Sequence, residues 1–200
     1  MVRRFSMSVW LLTLTAALAG EATADTTGAA ASAMPPDGVT ISTANHVIPP
    51  VKLVRASGQS VSLTQELDDG RPVVTNFIFT TCESTCPLAS QTFAALQSKL
   101  APDDRLHMVS ISIDPEYDTP QRLRAYAKKF HAGARWQLYT GTLQDSLAAQ
   151  QAFGAYRGDK MSHTPLTLLR KAPGEPWTRI EGFVTPDELL HYYRVLLAAR

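Results

Sequence analysis

Val73 to Phe79 is a run of apolar and β-branched residues interrupted only by Asn76, the pattern of a strand buried on both faces. Beyond Cys82 and Cys86, the residues Leu88, Ala89, Phe93, Leu96 and Leu100 give an apolar face at helical spacing. Pro87 suits the first turn of that helix because it has no amide donor to leave unpaired. The stretch therefore reads as strand, cysteine loop and helix.

The same patterning extends in both directions. Val51 to Leu63 holds two short β-prone runs about Ser57-Gly58, which predicts a hairpin, and Leu63 to Leu67 suits a short helical turn. Leu106 to Ile113 is a second apolar strand, ended by Asp114-Pro115. Asp118-Thr119-Pro120 opens a helix to about Phe130, closed by His131 and Gly133. Trp136 to Tyr139 predicts a short strand, and Thr142 caps a helix to Phe153. Gly154 to Ser162 is polar and reads as loop. Leu166–Arg170 and Trp177–Phe183 are the last strands, and Thr185-Pro186-Asp187-Glu188 is a capping box for a final helix from Asp187 to Ala198. The order is a hairpin, then β–α–β–α–β–α–β–β–α. The β–α–β units require parallel pairing in mid-sheet. The expected class is α/β, a thioredoxin-like sandwich with a central mixed sheet flanked by helices and an N-terminal β-hairpin.

Three segments follow from composition. Residues 1–24 read as a secretory signal peptide: Arg3 and Arg4, an apolar run to Leu18, then Ala22-Thr23-Ala24 as a cleavage pattern. Residues 25–49, rich in Ala, Thr, Ser and Pro, read as a flexible linker, with His46 solvated in it. Residues 50–200 form the folded domain. The protein is expected to be exported, to a periplasm, and tethered to the membrane if the leader is retained. A net charge of +1 over 200 residues, with 18% charged residues, offers no field for nucleic acid. His107 reads as a half-exposed strand residue, and His191 as packed or solvated on the last helix.

Cys82 and Cys86 are the only cysteines. Disulfides persist outside the cytosol, but a bridge here would close a very short loop and stabilise little. Thiols at a helix N-terminus meet unpaired amides and the positive end of the dipole, which favours thiolate. Two such sulfurs can exchange disulfides or bind a soft metal. Three residues separate them, Glu83, Ser84 and Thr85, rather than the two usual in dithiol enzymes of this fold. His163, in M-S-H-T-P before a strand, is the best third ligand, because in such a fold this loop passes beside the cysteines. Thr164-Pro165 stands where the fold commonly carries a cis proline. Asp114, Glu116 and Asp118 read as capping and turn residues rather than carboxylates near a metal, and Met161 as packing rather than a thioether ligand. Glu83 is expected to face solvent.

T-T-C-E-S-T-C-P, S-I-D-P-E-Y-D-T-P and S-H-T-P together resemble the Sco/SenC family over roughly Val51 to Leu197. The resemblance implies an exported thioredoxin-like copper protein that helps assemble the copper site of cytochrome c oxidase. By position, Cys82, Cys86 and His163 match the family's copper ligands, for one ion, Cu(I) or Cu(II). The implied partners are a copper donor, a thiol reductant and a recipient cuproprotein such as a cytochrome c oxidase subunit. The family often has Asp before the ligand histidine; this chain has Ser162. Pro165 is more typical of thiol-redox relatives. Two functions follow as expectations: a copper metallochaperone, or a thiol-disulfide oxidoreductase that reduces a partner through Cys82 and Cys86.

Overall fold

The buried run around Val73 forms β4 (Val73–Ile78), the strand from which the cysteine loop leaves. The computed structural model describes residues 37–198. In chain order the other elements are β1 (Thr40–Ala44), β2 (Lys52–Arg55), β3 (Ser60–Ser62), α1 (Leu63–Leu67), α2 (Thr85–Lys99), β5 (His107–Ser112), α3 (Pro120–Lys129), β6 (Trp136–Gly141), α4 (Leu143–Ala152), a 3-10 turn (Lys160–Ser162), β7 (Leu166–Arg170), β8 (Trp177–Glu181) and α5 (Pro186–Ala198).

The strands form one sheet in the order β1-β8-β7-β4-β5-β6-β2-β3. β4, β5 and β6 run parallel, and β7 pairs antiparallel with β4. All six residues of β4 and of β5 are buried, as strands covered on both faces must be. The predicted hairpin is present as β2 and β3, and it joins the sheet antiparallel to β6. Local signals place the helix starts. Thr119 and Thr142 accept the amides of Arg122 and Asp145, and Thr185 and Glu188 form the reciprocal box that opens α5. No helix among the described residues is long and apolar enough to cross a membrane.

The linker expectation for residues 25–49 fails at its far end. Thr40–Ala44 is a strand in register with β8, from Thr40 opposite Glu181 to Ala44 opposite Trp177. Its β-branched residues are spaced among small polar ones, so composition hid a half-exposed edge strand. Gly182 makes this edge possible: at φ 106° a Cβ there would stand 2.5 Å from the Gly38 carbonyl oxygen. His46 is not simply solvated, since Nδ1–H donates to the Ala152 carbonyl at 2.8 Å and the ring packs on Phe153. The expected signal peptide and residues 25–36 lie outside the described residues.

His107 is also corrected, from half-exposed to 2% exposed. Its Nδ1–H donates to the Glu66 carbonyl at 3.0 Å, and Tyr139 bridges to the Glu66 carboxylate at 2.5 Å. Arg55 holds that carboxylate through two nitrogens. Burial first, and Arg71 second, lower the His107 pKa below 6.5, against smaller raising effects of Asp69 and Glu66. A histidine with a lowered folded pKa binds its proton sooner when unfolded, so stability falls as pH drops below 6.5. The loss can reach about 1.4 kcal/mol per pH unit for this residue. Unfolding free energies measured by denaturant titration from pH 7 to pH 5 should fall, and His107→Asn should flatten the slope. An unchanged slope in the variant would show that His107 does not titrate with unfolding.

Candidate metal centre

After β4 the chain turns through Phe79, Thr80 and Thr81 into the cysteine loop. One buried carboxylate holds this turn. Asp118 is fully buried and accepts the Thr80 amide at 3.1–3.2 Å, the Thr80 hydroxyl, and the Ser112 hydroxyl at 2.6 Å. It does not cap α3, which Thr119 does. Asp114 is no simple turn residue either: it pairs with Lys160 at 2.6 Å.

The helix begins at Thr85, two residues before Pro87, so Cys86 lies in its first turn and Cys82 just ahead of it. Ser84 occupies the N-cap position without a side-chain capping bond. The sulfur of Cys82 does the capping instead, accepting the Cys86 amide at 3.3 Å and lying 3.5 Å from the Thr85 hydroxyl. Both cysteines are free thiols.

Their environments separate them. For Cys82, burial alone would raise the pKa, but hydrogen bonds from Thr85, from the Cys86 and Ser84 amides and from the Cys86 thiol outweigh it and bring it to about 7. Cys86 is 2% exposed, and burial pushes its thiol up to about 12, with the neighbouring Cys82 adding to the rise. One sulfur is therefore half ionised at neutral pH, and the other is a buried proton donor beside it.

His163 closes the 3-10 turn and is 8% exposed. Its Nε2–H donates to the Phe77 carbonyl at 3.0 Å, which leaves the Nδ1 lone pair for a ligand. Burial lowers its pKa, so the ring is neutral at pH 7. Cys82, Thr85, Met161 and His163 share a cavity of about 250 Å³, with Glu83 at its rim. Cys86 does not line it. His163 also borders a larger cleft of about 610 Å³ with Asp114, Glu116, Tyr156 and Asp159, so it stands in the wall between the two. The cysteines do not reach that cleft, and the smaller cavity is where the chemistry converges. The Thr164–Pro165 bond, at a position where the fold commonly carries a cis proline, is trans.

The structure thus brings Cys82 and His163 to one cavity and sets Cys86 behind Cys82. Among the described residues, no three His, Cys, Asp or Glu side chains are already grouped as a formed metal site. The donor set nevertheless fits a soft ion: a half-ionised sulfur just ahead of α2, a second sulfur in the helix's first turn, and a neutral imidazole with its free nitrogen. Sequence reasoning missed Asp118 and the Asp114–Lys160 pair. Thr80 lies 38 positions from Asp118 and Lys160 lies 46 from Asp114, and no local pattern carries that signal.

The chain is 31% identical over 105 residues to the SCO1 protein homolog of Bacillus subtilis, a match covering 52% of this chain and about half, 53%, of that protein. Among solved structures, BsSco, described as a member of the Sco family of cytochrome c oxidase assembly proteins with a disulfide switch, superposes with a TM-score of 0.65 at 25% identity, covering 80% of this chain and 98% of that one. ScoI of Bradyrhizobium japonicum, solved with copper bound, superposes at 0.63 with 23% identity, covering 76% and 100%. The SCO1/SenC family profile matches residues 39–198, from the edge strand to the last helix, and the chain belongs to that family.

Proposed function

We propose that this protein is a copper metallochaperone that carries one copper ion to an exported or membrane cuproprotein, the copper centre of cytochrome c oxidase foremost. The observation that carries this reading is the shared cavity of Cys82 and His163, with the Cys86 amide bonded to the Cys82 sulfur at 3.3 Å. The copper-bound Bradyrhizobium relative and the oxidase-assembly role given to BsSco support it.

Copper is cargo here. Cys82 meets it as thiolate, His163 offers Nδ1, and Cys86 joins once its proton leaves. Thiolates favour Cu(I), and imidazole accommodates Cu(II). Delivery is then ligand exchange with sulfur or nitrogen donors of the recipient. The route to the site is exported, with the N-terminal leader as address, and a thiol reductant keeps both sulfurs free.

The test is a titration of reduced protein with each oxidation state under a competing chelator. His163→Ala should weaken Cu(II) binding by about a hundredfold, the loss of roughly 2.7 kcal/mol, and Cu(I) binding by less than about tenfold. Unchanged Cu(II) affinity would remove His163 from the site.

One observation favours a second reading, a thiol-disulfide oxidoreductase: the division into a low-pKa thiol that lines the cavity and a high-pKa one that does not. Cys82 thiolate attacks a partner disulfide and releases one partner thiolate. Cys86 then displaces the partner's other sulfur, leaving a Cys82–Cys86 disulfide and a partner dithiol. Reductase activity that survives both His163→Ala and a copper chelator would select this reading.

A further inference from the structure

Met161 is 75% exposed, so the packing role expected for a loop methionine does not apply. It sits in the middle of the 3-10 turn Lys160–Ser162, between Lys160, which pairs with Asp114 in the loop after β5, and the candidate ligand His163. Four hydrogen bonds hold the turn. The Asp159 carboxylate accepts the Met161 amide at 2.9 Å, and the Asp159 carbonyl accepts the Ser162 amide at 3.0 Å. Lys160 Nζ donates to Asp114 at 2.6 Å, and His163 Nε2–H donates to the Phe77 carbonyl at 3.0 Å. The Met161 backbone is therefore held in place while its side chain stays uncommitted. That side chain lines the same cavity as Cys82 and His163.

Cys86 is 2% exposed and does not line this cavity, so an ion entering it meets Cys82, His163 and Met161 first. A thioether is neutral, soft and free of any proton, and it favours Cu(I) over harder ions.

We propose that the Met161 sulfur is an entry ligand for Cu(I), forming with Cys82 and His163 a capture site at the cavity mouth. The ion then passes inward as Cys86 replaces the thioether: one Cu–S(thioether) bond breaks, one Cu–S(thiolate) bond forms, and the Cys86 proton goes to solvent. No electron is transferred. This inference rests on the copper-carrying function proposed above, and the experiment separates the two.

Reduced protein carrying ¹³C-labelled methionine methyl groups is titrated anaerobically with Cu(I), the Met161 resonance being assigned by its loss in Met161→Leu. Substoichiometric Cu(I) should shift or broaden that resonance ahead of saturation, while the signal of the buried Met108 stays in place. In a parallel chelator competition, Met161→Leu should lower the ratio of Cu(I) to Cu(II) affinity, or the rate of Cu(I) uptake, by about tenfold, an effect of one weak ligand. Leucine keeps the bulk and polarity on an exposed position, and an unchanged denaturation midpoint checks the fold. A Met161 methyl that stays unmoved while the protein takes up one Cu(I) overturns the entry-ligand inference alone. Failure of the wild-type protein to bind Cu(I), or binding indifferent to Cys82→Ser, overturns the metallochaperone reading and the inference with it.

Discussion

Reduced protein treated with iodoacetamide at pH 7 should be alkylated at Cys82 about a thousandfold faster than at Cys86, a ratio set by thiolate population and nucleophilicity together. At pH 7 a thiol with a pKa of about 7 is half ionised, whereas one at about 12 is ionised in roughly one molecule in 10⁵. A more basic thiolate attacks faster, which returns about two powers of ten to Cys86 and leaves about three. Burial of Cys86 to 2% exposure acts in the same direction as the population term. Mass spectrometry of the labelled peptides over time gives both rates. The Cys82 rate should climb through a midpoint near pH 7, and Thr85→Val, which removes a hydroxyl 3.5 Å from the sulfur, should move that midpoint upward. In denaturant the two rates should converge. Equal rates in the folded protein would refute the asymmetry, and with it the picture of one ligand ready at the cavity and one held back.

That asymmetry shows where sequence reading stops. The strand, loop and helix around Cys82 and Cys86 are legible because each is set by near neighbours: a buried run, a proline in a first turn, an apolar helical face. The same holds for Thr119, Thr142 and the Thr185–Glu188 box, whose bonds span three residues. The difference between the two sulfurs comes from burial and from which sulfur faces the amides, and residue type is blind to both. β1 escaped because an edge strand needs neither a continuous apolar run nor strict alternation. Its partner, β8, lies far along the chain. His107 reads as an ordinary strand histidine until Glu66, 41 positions away, is placed against it. His163 is legible from fold register and from family resemblance; its bond to Phe77, which occupies Nε2 and leaves Nδ1 free, spans 86 positions. Met161 required the opposite kind of information, its lack of packing.

Asp118→Ala should destabilise the protein by about 3 kcal/mol, because it strands buried donors. The Thr80 amide, the Thr80 hydroxyl and the Ser112 hydroxyl all end on this carboxylate. A hydroxyl can turn to another acceptor, but an amide in this turn cannot, so the loss is less than three full penalties and more than one. Asp118→Asn keeps one acceptor oxygen and should cost roughly half as much. The pH dependence separates charge from connectivity. Burial is the largest influence on Asp118 and raises its pKa, against the lowering effect of the Ser112 and Thr80 bonds. A carboxyl with a raised folded pKa binds its proton more readily when folded, so its contribution to stability grows as pH falls from the raised value toward 3.8. This opposes the loss from His107, and Asp118→Asn should therefore make the acid decline steeper than in the wild type. Because Thr80 is two residues from Cys82, releasing it also loosens the sulfur from the Cys86 amide, and the alkylation midpoint of Cys82 should rise in Asp118→Ala. Denaturant titrations across pH 4 to 7, paired with the alkylation profile, test each step. A stability change under about 0.5 kcal/mol, the range of an ordinary surface substitution, would mean that Asp118 does not hold the loop.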